Sequence, residues 1–170
     1  MQNIEFSDIE ITGGYWKTKQ EINSRATLMS VYGRFKETHR FDALRCEQKE
    51  GDTYLPHIFW DSDVAKWLEG AAYILNFKDD ETVTAIIENA IDCIIENSDE
   101  NGYFNSHFLV TEQNNRFRNR SCHELYCAGH LIEASVAYYE ITGKDRFLKA
   151  MCKFADYIER VFRIEKSAAF

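Results

Sequence analysis

Apolar residues recur at helical spacing through most of the chain, and that spacing predicts five helices. The first covers about Trp16 to Glu37, with Ile22, Ala26, Met29, Tyr32 and Phe35 along one side. The second begins near Asp61-Ser62-Asp63, which supply an N-cap and a favourable charge for the positive end of the helix dipole. It carries Val64, Trp67, Leu68, Ala71, Ala72, Ile74 and Leu75 over most of its circumference. After a turn at Lys78-Asp79-Asp80, the third runs from Val83 to Ile95 with Thr84, Glu88, Asp92 and Glu96 on its wet face. The fourth opens at Ser121 and closes at Thr142-Gly143, where a glycine suits a left-handed C-terminal cap. The fifth spans about Asp145 to Phe162. Between these, residues 39–60 read as irregular, and Tyr103 to Val110 reads as a strand or hairpin arm after the Asn101-Gly102 turn. Residues 4–12 alternate loosely and predict a short extended lead-in.

The helices repeat in pairs. Trp67-Leu68-Glu69-Gly70-Ala71-Ala72-Tyr73 resembles Leu131-Ile132-Glu133-Ala134-Ser135-Val136-Ala137-Tyr138, one hairpin later. Helices two and four are apolar nearly all round, while three and five each have one charged face. Alternation of buried and half-buried helices is the pattern of stacked helical hairpins. The expected fold is therefore all-α, a partial (α/α) toroid forming a single partial domain over residues 1–170. Closing a toroid of six such hairpins takes roughly 350–400 residues, so this chain is expected to form an open arc with an apolar edge. In each hairpin the long, aromatic connection leads into the inner helix. That places the working face at the N-termini of helices two and four, with Asp61, Ser62, Asp63 and His123 on its rim.

Composition narrows the function. With 170 residues, 45% hydrophobic and 28% charged, the chain reads as an ordinary globular domain with one core. A net charge of -8 opposes general affinity for nucleic acid or anionic membrane surfaces and fits a neutral ligand such as a sugar. The five cysteines have no CxxC pair, and Cys93, Cys127 and Cys152 fall inside predicted helices. A reducing compartment is the better expectation, and with no secretory leader or membrane-length apolar run visible the default is cytoplasmic.

The densest chemistry lies in His123-Glu124-Leu125-Tyr126-Cys127-Ala128-Gly129-His130. Ser121 and Glu124 have capping-box spacing, which makes Glu124 a helix cap before it is a catalytic carboxylate. His123 then sits in the first turn, where a neutral imidazole both donates to and accepts from hydroxyls. His123, Cys127 and His130 form one stripe, but the two histidines are nearly two turns apart and do not share one ion comfortably. Cys127 is expected in the core and His130 as a satisfied interior histidine. Asp61, Asp63 and Glu124 supply the residue type of a glycosidase pair, and Tyr103, Phe104, His107 and Phe108 that of a sugar-stacking wall or of core. Arg116-Phe117-Arg118-Asn119-Arg120 alternates like a solvated strand face.

Several segments together resemble a known family: Trp60 through Tyr73, Asn101-Gly102-Tyr103-Phe104-Asn105, and His123 through His130 with its helix, supported by Gly14-Tyr15-Trp16-Lys17 and Thr27-Leu28. They are similar to the N-terminal part of glycoside hydrolase family 127, the β-L-arabinofuranosidases. The resemblance implies an (α/α) toroid and retaining hydrolysis of arabinofuranosides, with a zinc-held cysteine thiolate as nucleophile and a glutamate as acid/base. The family's zinc ligands, nucleophile and acid/base lie downstream of the matched segments, so no catalytic or metal-binding residue and no bound zinc is expected here. His123 carries over as a sugar-contacting residue. Asp61, Asp63, Tyr103 and Glu124 are weaker candidates, the two aspartates with a rim or structural role. The chain is expected to be an N-terminal fragment, inactive alone. Two other readings stay open: a helical interaction module that self-associates or docks through its apolar edge, and an independent hydrolase using His123, Glu124 and Asp61 or Asp63, with or without a metal.

Overall fold

In the computed structural model, which describes residue 4 and residues 6–168, the periodic segments fold as helices and no described residue lies in a strand. Helices α1 (Gly14–Ile22) and α2 (Leu28–Glu37) form one rod, joined through a π-helical turn at Asn23–Thr27. A short α3 (Arg40–Ala43) follows where the sequence reads as irregular. Then come α4 (Trp60–Leu75), α5 (Glu81–Asn97), a short α6 (Ser106–Val110), α7 (Glu124–Thr142) and α8 (Arg146–Glu159). The last continues into a second π-helical turn, Arg160–Ile164.

The departures from expectation have local causes. Tyr103–Asn105 is extended, but the arm then coils into α6 because the Asn105 side chain accepts from the Phe108 N–H at 3.2 Å. The lead-in is a 3-10 turn at Phe6–Asp8 rather than extended, with the Phe6 ring on Tyr73; Glu5 lies outside the described residues. Helix α4 starts at Trp60 without a side-chain cap, so Asp61-Ser62-Asp63 form its first turn and not its N-cap. Asp80 does cap α5, accepting from the Val83 N–H at 3.2 Å, and Gly143 ends α7 in the left-handed conformation.

Two hairpins, α4–α5 and α7–α8, stack side by side. Helices α4 and α7 pack along their lengths, with α2 and α3 on the outer flank of α4 and α8 on α7. Small residues (Ala65, Ala71 and Ala72 on α4; Ala128, Ala134 and Ala137 on α7) are fully buried and let the backbones approach. Larger side chains fill the remaining space: Leu68, Ile87, Ile91, Ile94, Leu131, Phe147 and Phe154 are all within 2% of complete burial. Each such side chain contributes roughly 1.5–3 kcal/mol. Trp67 ties the first rod to α4, its indole N–H donating to the Leu28 carbonyl at 2.9 Å.

The Asn101-Gly102 turn is pinned against α8. Gly102 has φ 82°, and a Cβ there meets the Lys153 Cγ at 2.9 Å and its backbone carbon at 3.1 Å. Between the first rod and α4 lies an apolar groove of about 610 Å³ lined by Trp16, Leu28, Phe35, Trp67 and Tyr73. No described helix is long and apolar enough to cross a membrane.

Candidate functional site

The chain reaches α7 through a 3-10 turn, Arg120–Cys122, capped by the Asn119 side chain. His123 then takes a left-handed conformation, φ 56°, and the helix starts at Glu124. The expected capping box at Ser121 is absent, because Ser121 belongs to the preceding turn and Glu124 points elsewhere. This corner leaves the His123 imidazole exposed at the end of the inner helix pair. Its ring lies 4.8 Å from that of Phe59 and 6.0 Å from that of Tyr126. His57 extends the row beyond Phe59 at 5.2 Å. On the other side the Tyr126 hydroxyl meets Lys66 Nζ at 2.8 Å. The result is a shallow wall of rings with hydrogen-bonding edges, suited to a polyhydroxylated ligand with one apolar face.

The acidic candidates lie underneath. Asp61 is 1% exposed and clamps the start of α6: Oδ2 accepts from the Ser106 N–H at 2.7 Å and Oδ1 from its hydroxyl at 2.6 Å. Burial lifts its pKa to about 6 against the opposing pull of the Ser106 bonds. Glu124 is 3% exposed; it accepts from the Tyr103 hydroxyl at 2.6 Å and from the Phe117 N–H at 2.6 Å. Its pKa is also raised by burial, with both bonds opposing. Tyr103 has no exposed surface, and burial followed by the Glu124 charge pushes its phenol upward. Asp63 stays half-exposed at the rim, held by Arg40 Nε at 2.8 Å. Of the five sequence candidates, His123 and Asp63 alone reach the surface, and Asp61 and Ser62 do not form a rim.

Residues 116–120 are no solvated strand face. The Arg116 guanidinium lies 4.1 Å from the centre of the Tyr103 ring and pairs with Asp99, while Phe117 is buried with φ 52°. Phe104 and Phe108 are core, and His107 is anchored to the Pro56 carbonyl at 2.8 Å. Sequence reading missed His57, Phe59, Lys66 and Tyr126. The spacing of Tyr126 three residues after His123 was the available signal, whereas the His57 and Phe59 contacts depend on a fold across the chain.

A family comparison decides what this surface belongs to. The family described as "Beta-L-arabinofuranosidase, GH127 catalytic domain" matches residues 8–168. The chain belongs to glycoside hydrolase family 127. It is 34% identical over 120 residues to the "Non-reducing end beta-L-arabinofuranosidase" of Bifidobacterium longum subsp. longum, a match covering 68% of this chain and 18% of that protein. The crystal structure of a family 127 β-L-arabinofuranosidase from Geobacillus stearothermophilus T6 superposes with a TM-score of 0.81 at 35% identity, covering 88% of this chain and 25% of that one. A second family 127 β-arabinofuranosidase has the same fold, TM-score 0.81, at 24% identity and with 92% of this chain covered. The fold is thus part of the helical-hairpin toroid of family 127, and the chain spans between 18% and 26% of the length of these relatives.

Among the described residues no cysteine stands in a cluster of three or more metal-ligating side chains. Burial pushes the Cys46 and Cys127 thiols up to about 12 and also raises those of Cys93 and Cys122. Cys127 is core, its thiol donating to the Ile58 carbonyl at 3.2 Å. These surroundings disfavour the thiolate.

Proposed function

We propose that this chain supplies part of the sugar-binding surface of a retaining glycoside hydrolase acting on β-L-arabinofuranosides, and that the bond-breaking groups are not among the residues described here. One observation carries this reading. At the end of α4 and α7 the exposed hydrogen-bonding group between aromatic rings is His123, while the nearby buried carboxylates, Asp61 and Glu124, are committed to internal hydrogen bonds. A furanose has hydroxyls for an imidazole to bond and C–H faces for Phe59 and Tyr126 to cover. A carboxyl group that acts on a glycosidic bond has to face it, and Asp61 and Glu124 both face inward.

Saturation-transfer and chemical-shift NMR of the purified chain with methyl β-L-arabinofuranoside tests the proposal. Shifts are expected at His123, Tyr126 and Phe59, and His123→Ala is expected to weaken binding at least about tenfold, a loss of about 1.4 kcal/mol. Release of arabinose from a nitrophenyl arabinofuranoside is expected to stay at the uncatalysed level. Sugar shifts that survive His123→Ala, or turnover by the chain alone, defeat the reading.

A further inference from the structure

The internal repeat has a consequence outside the sugar wall. It places Glu69 on α4 and Glu133 on α7 at equivalent positions of neighbouring helices, and the packing brings them together. His130 joins them from one turn earlier on α7. One donor atom from each of Glu69, His130 and Glu133 lies within 4.8 Å of the other two. Two carboxylates facing each other across a helix pair repel, and neither has a Lys or Arg within ion-pairing distance among the described residues.

The histidine geometry is informative. His130 Nδ1 is shut off from solvent yet makes no hydrogen bond, although Glu133 Oε2 stands only 2.8 Å away. The two atoms approach off the N–H line. The separation itself suits two ligands of one ion, since donors each about 2.0–2.1 Å from it are roughly 3 Å apart. Tyr73, beside the cluster, reports the surrounding field. Its phenol is pushed up first by burial and then by the charges of Glu69, Glu140 and Glu133.

We propose that Glu69, His130 and Glu133 form a divalent-cation site that bridges α4 and α7. One imidazole nitrogen and two carboxylate oxygens suit a borderline ion such as zinc or cobalt and leave a coordination position open. The cation neutralises the facing glutamates and engages the His130 Nδ1, which makes no hydrogen bond. No cysteine takes part, so this site is separate from thiolate chemistry, and it stands whether or not His123 binds sugar.

The test uses the 170-residue chain stripped of metal with a chelator, then titrated with cobalt by absorption and with zinc by calorimetry. The proposal expects one equivalent bound, cobalt d–d bands without a thiolate charge-transfer band, and a zinc-dependent rise in unfolding temperature. Glu133→Gln and His130→Ala should each weaken binding at least about tenfold. Glu133 is 60% exposed, so its substitution leaves the fold intact and keeps the test valid if the histidine variant unfolds. The absence of binding up to about 1 mM zinc, a thiolate band, or an affinity unchanged in Glu133→Gln would each overturn the site.

Discussion

Burial at Asp61 favours the protonated carboxyl in the folded chain more than in the unfolded one. Burial raises its pKa from 3.8 to about 6, so between those values the native state binds more protons than the unfolded state. Stability from this group is therefore greatest below pH 4 and falls as pH rises toward 6, by an amount on the order of 3 kcal/mol when complete. Asp61→Asn keeps an acceptor for the Ser106 N–H and removes the titration. Urea unfolding of both proteins from pH 4 to 7 should show the native chain losing stability relative to the variant as pH rises; parallel curves would contradict the assignment. The sequence showed that Asp61 and Glu124 stand at helix starts but not what they bind. Their partners, Ser106 and Tyr103, lie 45 and 21 residues away, and a choice between local cap and distant hydroxyl is made by packing. Position left His123 open between a packing and a sugar-contacting role, and the family resemblance singled it out; the fold leaves its side chain exposed.

Among the elements, Gly102 is the most constrained joint. Its left-handed backbone and the contact with Lys153 leave no room for a Cβ, so Gly102→Ala should destabilise the chain by about 2 kcal/mol in chemical denaturation. Gly33 gives the matched control. It lies inside α2 with nothing within 4 Å of an added Cβ, and Gly33→Ala should be neutral or stabilise by about 0.5–1 kcal/mol. Equal effects at the two positions would argue against a pinned turn. The long helices were legible because apolar periodicity is local and reinforces itself over several turns. The short α3 and α6 were not: four or five residues hold too little periodicity, and α6 depends on a cap from Asn105 and a clamp from Asp61.

Across the whole molecule, the two hairpins are joined by more than the core. Glu88 on α5 pairs with Lys144 and with Arg146 at 2.5 Å each, and accepts from the Tyr138 hydroxyl. Its pKa falls from 4.5 to about 2; burial raises it, and the bonds from Lys144, Tyr138 and Arg146 outweigh that. The network thus stabilises fully above pH 4.5 and is lost as pH falls toward 2. Glu88→Gln should cost about 1 kcal/mol at pH 7 after solvent screening, with less difference in high salt and at pH 3; thermal unfolding under those conditions checks it. The stacking order of the hairpins was legible from the internal repeat, but this polar cross-link was not, since it joins residues 50 and 56 positions apart.

The π-helical turn at Asn23–Thr27 governs how the first rod meets the rest. Trp16 and Phe35 both line the groove, nineteen positions apart. In a regular helix of 3.6 residues per turn, that separation leaves them about 100° out of phase. A wide turn absorbs one residue without advancing the rotation, and the remaining eighteen steps make about five whole revolutions. The irregularity acts as a phase corrector, and it keeps a single face of a long helix aimed at α4 from end to end.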